Sequence, residues 1–334
     1  MIDDLLTWAR ESWRAWFGRP ATFLSPAVLA GGPAHQQRFA LFLFEGTKSH
    51  PDVFVKVSLD EKERKHVEAE TTAIESLRGI SLPLLNAQLP RSFGRHEIGS
   101  TFAAAYGVLA GRRINVPPLL GHVGRGGQKS MTRFWGATSE FGMKLAAMTP
   151  RSDDLGDERQ LGERVGAFLA TFEVDSGTRR NLEAFQRNLE RERISWSPVW
   201  QHGDLAVGNV LLDGNGFRFL DWEAARDDYE PWFDLTTAPP AAVVLGCRQT
   251  GQTPGQVAPV VLSRTAWAGA SMSREIEKHW NQSFPIGWAI LLTTMRMALR
   301  RSNEGRTMHS EYSSLVAQLA ADPHIRTDAS WAAI

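Results

Sequence analysis

Apolar residues at Ile2, Leu6, Ala9, Trp13 and Trp16 recur at near-helical spacing, with Arg10, Glu11 and Arg14 off the stripe. That pattern predicts an amphipathic helix over residues 2–17, ended by Gly18 and Pro20. The period then shortens. Short apolar runs at 28–30, 39–44 and 53–57 are separated by Gly31-Gly32-Pro33 and Glu45-Gly46-Thr47, which reads as strands and turns. A charged helix follows over 59–77, and runs at 89–95 and 100–106 are placed to pair across residues 96–99. From residue 115 the spacing is mostly helical: 134–148, 161–172, 182–194, 263–280 and 285–301, with a polar loop at 150–154. One stretch interrupts it. Val210-Leu211-Leu212, the turn Asp213-Gly214-Asn215-Gly216 and the return over 217–220 predict two strands joined by a tight turn.

The polar residues around that hairpin carry the candidate chemistry. His202-Gly203-Asp204 precedes it, Asn209 stands five residues after the Asp, and Asp221-Trp222-Glu223 closes it. A hairpin brings the loop before its first strand towards the end of its second, so Asp204, Asn209 and Asp221 are expected to converge. Mg²⁺ takes hard oxygen ligands, usually one or two carboxylates plus phosphate oxygens. Asn209 and Asp221 offer such oxygens, which leaves Asp204 to accept a hydroxyl proton. Protein kinases have the same order of Asp, Asn and metal-binding Asp. Here Gly203 stands where they have Arg, and Asp-Trp-Glu stands where they have Asp-Phe-Gly. With those departures the chain resembles the aminoglycoside phosphotransferase and choline kinase-like family of small-molecule kinases, whose pattern is HGD-x4-N, a hydrophobic strand and DWE. Acids that merely capped turns would not need the whole ordered set.

The resemblance runs over about residues 25–240 and implies an α+β, protein-kinase-like two-lobed fold. After an N-terminal helix (1–20), an antiparallel β-sheet N-lobe with one helix would span 21–108, and a mainly helical C-lobe 109–334. It implies transfer of the γ-phosphoryl group of ATP, with Mg²⁺, to a hydroxyl of a small molecule. Asp204 would be the catalytic base, and Asn209 and Asp221 the metal ligands. Lys56, a charge inside an apolar strand, would contact the phosphates and be held by Glu70, with Glu68 as the alternative partner. Gly31-Gly32 stands where the loop over the phosphates belongs, although the full G-x-G-x-x-G is missing. The stretch from Tyr106 through Val108 corresponds to the connector whose backbone meets the adenine. Asp234 would anchor the catalytic loop through backbone N–H groups. The alternatives are a nucleotide-binding scaffold without turnover and, less well matched for want of an Ala-Pro-Glu activation segment, a protein kinase.

Composition changes little in that picture. Over 334 residues, 37 Lys+Arg balance 37 Asp+Glu, so nothing points to nucleic acid. A single cysteine, Cys247, rules out an internal disulfide and fits a cytoplasmic setting. No run has the length of a membrane span, and the acidic N-terminus lacks a signal-peptide pattern. The Trp-rich 2–17 helix invites a peripheral membrane reading, but its polar face is not Lys/Arg-rich, which favours packing on its own domain. The acceptor stays open between sugar, aminoglycoside-like, amino alcohol and glycan or natural-product chemistry. Asp227, Asp228 and Glu230 would suit a polycation; Arg112, Arg113, Arg296, Arg300 and Arg301 pull the other way. The oligomeric state is not legible.

Overall fold

The structure is a computed structural model and describes residues 1–30, 37–80, 83–120, 124–148, 155–214, 216–282, 284–303 and 309–322. Gly31-Gly32-Pro33, Asn215 and the whole of the polar loop expected at 150–154 lie outside the described residues. In chain order the first elements are α1 (Ile2–Phe17), β1 (Leu24–Ala30), β2 (Arg38–Glu45), β3 (Val53–Ser58), α2 (Glu61–Gly79), α3 (Pro83–Gln88), β4 (Ser92–Ile98), β5 (Thr101–Gly107) and β6 (Arg112–Arg113). Then come α4 (Arg125–Met148), β7 (Gly156–Asp157), α5 (Glu158–Thr171), α6 (Ser176–Arg191), β8 (Ser195–Trp196), β9 (Val199–Gln201), β10 (Val210–Asp213) and β11 (Gly216–Phe219). The last are β12 (Arg226–Tyr229), α7 (Phe233–Thr250), α8 (Pro254–Val261), α9 (Trp267–His279), α10 (Ile286–Asn303) and α11 (His309–Ala321). This is the expected α+β fold, an antiparallel sheet followed by helices. The chain forms two compact units: Met1–Arg113 with Asn209–Ala225, and Ile114–Gly208 with Arg226–Ile334.

The first unit is built on a five-stranded antiparallel sheet in the order β1-β2-β3-β5-β4. Side chains along a strand alternate between faces. On β3, Val53, Val55 and Val57 join a buried cluster with Leu41, Leu43, Ala103 and Ala105 and with Leu5, Leu6, Ala9, Trp13 and Trp16 of α1. Burying such side chains is worth roughly 1.5–3 kcal/mol each. The apolar stripe of α1 therefore packs on the sheet. Lys56 belongs to the opposite set of β3, the face covered by α2. On that face small Ala104 is its cross-strand partner, and the hydroxyl of Tyr106 meets Thr71 of α2 at 2.7 Å. Asp60 caps α2 by accepting the Glu63 backbone N–H at 2.7 Å.

A second, three-stranded sheet in the order β11-β10-β6 completes this unit. The hairpin pairs Val210 with Phe219 and Asp213 with Gly216, as its turn residues predict. Gly111 lets β6 approach. It sits at φ +144°, and a Cβ there would lie 2.9 Å from that of Leu211.

The second unit is a helical assembly around a buried core of Leu161, Val165, Phe168, Leu182, Phe185, Leu189, Ile290, Leu292 and Met295. Its one ladder near the candidate loop pairs β12 with β9, Arg226 opposite Gln201 and Tyr229 opposite Val199. Among the described residues no helix is long and apolar enough to cross a membrane.

Candidate active site

The residues singled out from the sequence fall in both units, and each group is built within its own. In the first unit, Lys56 Nζ lies 2.6 Å from Glu70 Oε2 and 2.9 Å from Asp221 Oδ1. The other oxygen of Glu70 accepts the backbone N–H of Trp222 at 3.3 Å. Glu68 pairs instead with Arg64, at 2.7 Å. Burial opposes the charge on Lys56, but Glu70 and Asp221 outweigh it and hold the ammonium well above the usual lysine range. Burial pushes the Glu70 carboxyl up, and Asp221 and Glu223 push the same way against Lys56. The cluster is thus richer in carboxylate than in cation.

The turn at Asp221 has unusual backbone geometry. Asp221 sits at φ 61°, ψ 65°, a left-handed conformation that non-glycine residues seldom adopt. Trp222 behind it is fully buried, and its indole N–H reaches the Phe219 carbonyl at 3.0 Å. The Leu220 N–H donates to the Asn209 carbonyl at 2.8 Å. Asn209 and Asp221 therefore stand at the same end of the hairpin. Tyr106 ends inside the unit, on Thr71, whereas Val108 lies just past β5 with its N–H 3.4 Å from the Asp52 carbonyl. Gly31 and Gly32 are outside the described residues.

In the second unit the His202-Gly203-Asp204 loop hangs from the first turn of α7. Both oxygens of buried Asp234 accept backbone N–H groups, of His202 at 2.6 Å and of Gly203 at 3.0 Å. The Asp234 N–H in turn donates to Gln201 Oε1 at 3.0 Å. Burial pushes the Asp234 carboxyl up to about 7, while the two N–H donors pull it back. Gly203 sits at φ +77°, which explains a glycine where protein kinases have Arg. His202 is buried, and its Nδ1 accepts the Asp204 N–H at 3.3 Å. Such a His supports the loop. Asp204 itself is met by α10: Arg301 Nη2 reaches Oδ2 at 3.1 Å and Arg300 Nη2 stands 3.7 Å from Oδ1. Sequence reasoning counted both arginines only as charge. Adjacent arginines on an otherwise buried helix were the signal.

A direct consequence concerns Asp234. Asparagine keeps one acceptor oxygen and turns an NH₂ towards the second backbone donor, so Asp234→Asn is expected to cost about 1–3 kcal/mol, the penalty of one buried orphan. Urea unfolding of parent and variant measures it, and equal midpoints would remove Asp234 as the anchor.

A sheet unit with a buried Lys–Glu pair and a helical unit carrying an Asp on a capped loop define a phosphotransferase of the kinase-like class. The family model described as "Phosphotransferase enzyme family" matches residues 42–244, and the chain belongs to that family. No curated protein sequence gives a significant match. Among solved structures, a Ralstonia eutropha protein assigned as an aminoglycoside phosphotransferase is 14% identical with a TM-score of 0.58, over 93% of this chain and 96% of that one. The choline kinase LicA of Streptococcus pneumoniae is 11% identical with a TM-score of 0.52, over 96% and 100%. A Haemophilus somnus protein assigned as a fructosamine-3-kinase is 12% identical with a TM-score of 0.51, over 93% and 95%. At these identities the likeness is one of fold.

Proposed function

We propose that the protein transfers the γ-phosphoryl group of ATP to a hydroxyl of a small molecule. The observation that carries this reading is the Glu70–Lys56–Asp221 triad: a half-buried lysine fixed between two carboxylates, with a further carboxylate, Glu223, acting on it. Lys56 would align the α- and β-phosphates, and Glu70 would keep it in place. Asp204 would accept the proton of the acceptor hydroxyl as its oxygen attacks phosphorus and the bond to the β-phosphate oxygen breaks, releasing ADP. Arg301 would orient the Asp204 carboxylate. Most of the rate gain in such a site comes from positioning and charge stabilisation.

The residues fit Mg²⁺. Among the described residues no three His, Cys, Asp or Glu side chains form a metal cage. A phosphate-bridging Mg²⁺ needs none, because phosphates and water supply most of its oxygens. Asn209 and Asp221 would hold it, and the excess of carboxylate around Lys56 favours an added cation. Bound there, Mg²⁺ supplies neutralisation of the phosphate charge.

Charge around Asp204 narrows the acceptor. Glu230 is buried and held by Arg164 and by Arg296, and Asp228 also pairs with Arg296. Two of the three acids that would have suited a polycation, Asp228 and Glu230, are thus matched by arginines, and Asp204 is met by two more. A neutral hydroxylated acceptor, a sugar or sugar-like metabolite, suits this balance better than an aminoglycoside. ADP release with radiolabelled ATP over a panel of neutral polyols, amino alcohols and aminoglycosides is expected to rise most with the neutral members. A response to the polycations alone would sink the acceptor class, and none to any acceptor would favour the scaffold.

A further inference from the structure

The Asp221-Trp222-Glu223 segment is gripped twice. Glu63 and Glu70 lie seven residues apart on α2, about two helical turns, and so share a face. Each pairs with a cation from the sheet, and each cation reaches on to the segment. Glu70 holds Lys56, which contacts Asp221. Arg38, the first residue of β2, lies 3.6 Å from Glu63 and donates to Glu223 Oε2 at 2.7 Å. The second set repeats the first with Arg for Lys, one strand over. Glu63 and Glu223 are both buried, and the Arg38 side chain is only 22% exposed.

A surface ion pair contributes little and would explain nothing further. This set is not at the surface, and it flanks a strained residue. A non-glycine residue in the left-handed region is strained and persists only where its surroundings over-determine it. One side is held through the Asp221 carboxylate by Lys56 and through the Trp222 N–H by Glu70. The other side is held through Glu223. Arg38 holds it there, its Nη1 standing 2.7 Å from Glu223 Oε2 and 3.6 Å from Glu63 Oε2.

We propose that Arg38 is a positioning residue: the Glu63–Arg38–Glu223 triad fixes the left-handed turn that presents Asp221. The consequence for metal binding rests on the reading of Asp221 as a cation ligand. Outer groups that orient a ligand typically change metal affinity by about 10–100-fold when removed. The same contact ties the first residue of β2 to the Asp221 turn.

The test compares parent, Arg38→Met and Arg38→Lys by two measurements. Hydrogen exchange of the segment 217–225 reads the turn without nucleotide. Electron paramagnetic resonance of Mn²⁺ with a non-hydrolysable ATP analogue reads the ligand. Arg38→Met is expected to speed exchange in 217–225 and to weaken Mn²⁺–nucleotide binding by about 10–100-fold. Adenosine affinity should be unchanged, and Arg38→Lys should restore part of the loss. If the Met variant fails to fold, the Lys variant carries the comparison, because an ammonium cannot reproduce the guanidinium's directed donation to Glu223. Unchanged exchange in 217–225, or acceleration spread evenly over Met1–Arg113, overturns the proposal. A parent that binds no Mn²⁺–nucleotide sinks the cation reading of Asp221, while the exchange result still decides the grip of Arg38.

Discussion

An Asp204→Asn variant is expected to bind ATP as the parent does and to turn over about 10²–10⁴-fold more slowly, the range for loss of a general base. The loop should survive, because it hangs on Asp234 through backbone groups of His202 and Gly203. Asparagine can still accept from Arg301 but cannot take the hydroxyl proton. The loss should therefore appear in kcat and in kcat/KM for the acceptor, with KM for ATP little changed. Turnover equal to the parent's would strip Asp204 of its role. A parallel rise in KM for ATP would mean the loop itself had moved.

The second large effect is on stability. Lys56→Met leaves Glu70 buried beside Asp221 with its cation gone, and breaking a buried pair in this way costs about 3–5 kcal/mol. The Trp222 N–H bond to Glu70 Oε1 helps keep that carboxylate in place. Adding Glu70→Leu to Lys56→Met removes the stranded charge and should return much of the loss. Guanidinium unfolding of parent, both single variants and the double variant closes the cycle. Additive effects would show that the two residues do not act as one unit. The Met variant should also lose turnover while still binding adenosine, which has no phosphates to align.

Much of this was legible because the informative signals were local. The 3.6-residue stripe of α1, the turn residues of the β10–β11 hairpin and the apolar strand broken by Lys56 each report their own structure. The pairing of Lys56 with Glu70 over Glu68 is a matter of helical phase: Glu70 shares a face with Ile74 and Leu77, both buried. Arg38 was not legible. It opens a strand, where a charged residue is unremarkable, and its partners lie 25 and 185 residues away. Arg300 and Arg301 were hidden similarly, being 97 residues from Gly203 and Asp204. Helix α7 carries Pro239 and Pro240, which argue for a break, yet it runs unbroken over Phe233–Thr250 with both prolines buried. Tertiary burial overrides the local signal there.

The first unit is not contiguous in sequence. Lys56 and Glu70 are made early, but Asp221, Glu223 and the two strands that extend the β6 edge come only with Asn209–Ala225. A growing chain that has reached Arg113 contains the sequence of the five-stranded sheet together with Lys56 and Glu70. It lacks the partner that turns that pair into a triad, and Arg38 has Glu63 but not Glu223. Translation must cross the intervening 114–208 before the pocket's charges can be arranged. The helical segments made in between are thus present when the turn at Asp221 closes, and the last step in assembling the lysine's surroundings is a long-range one.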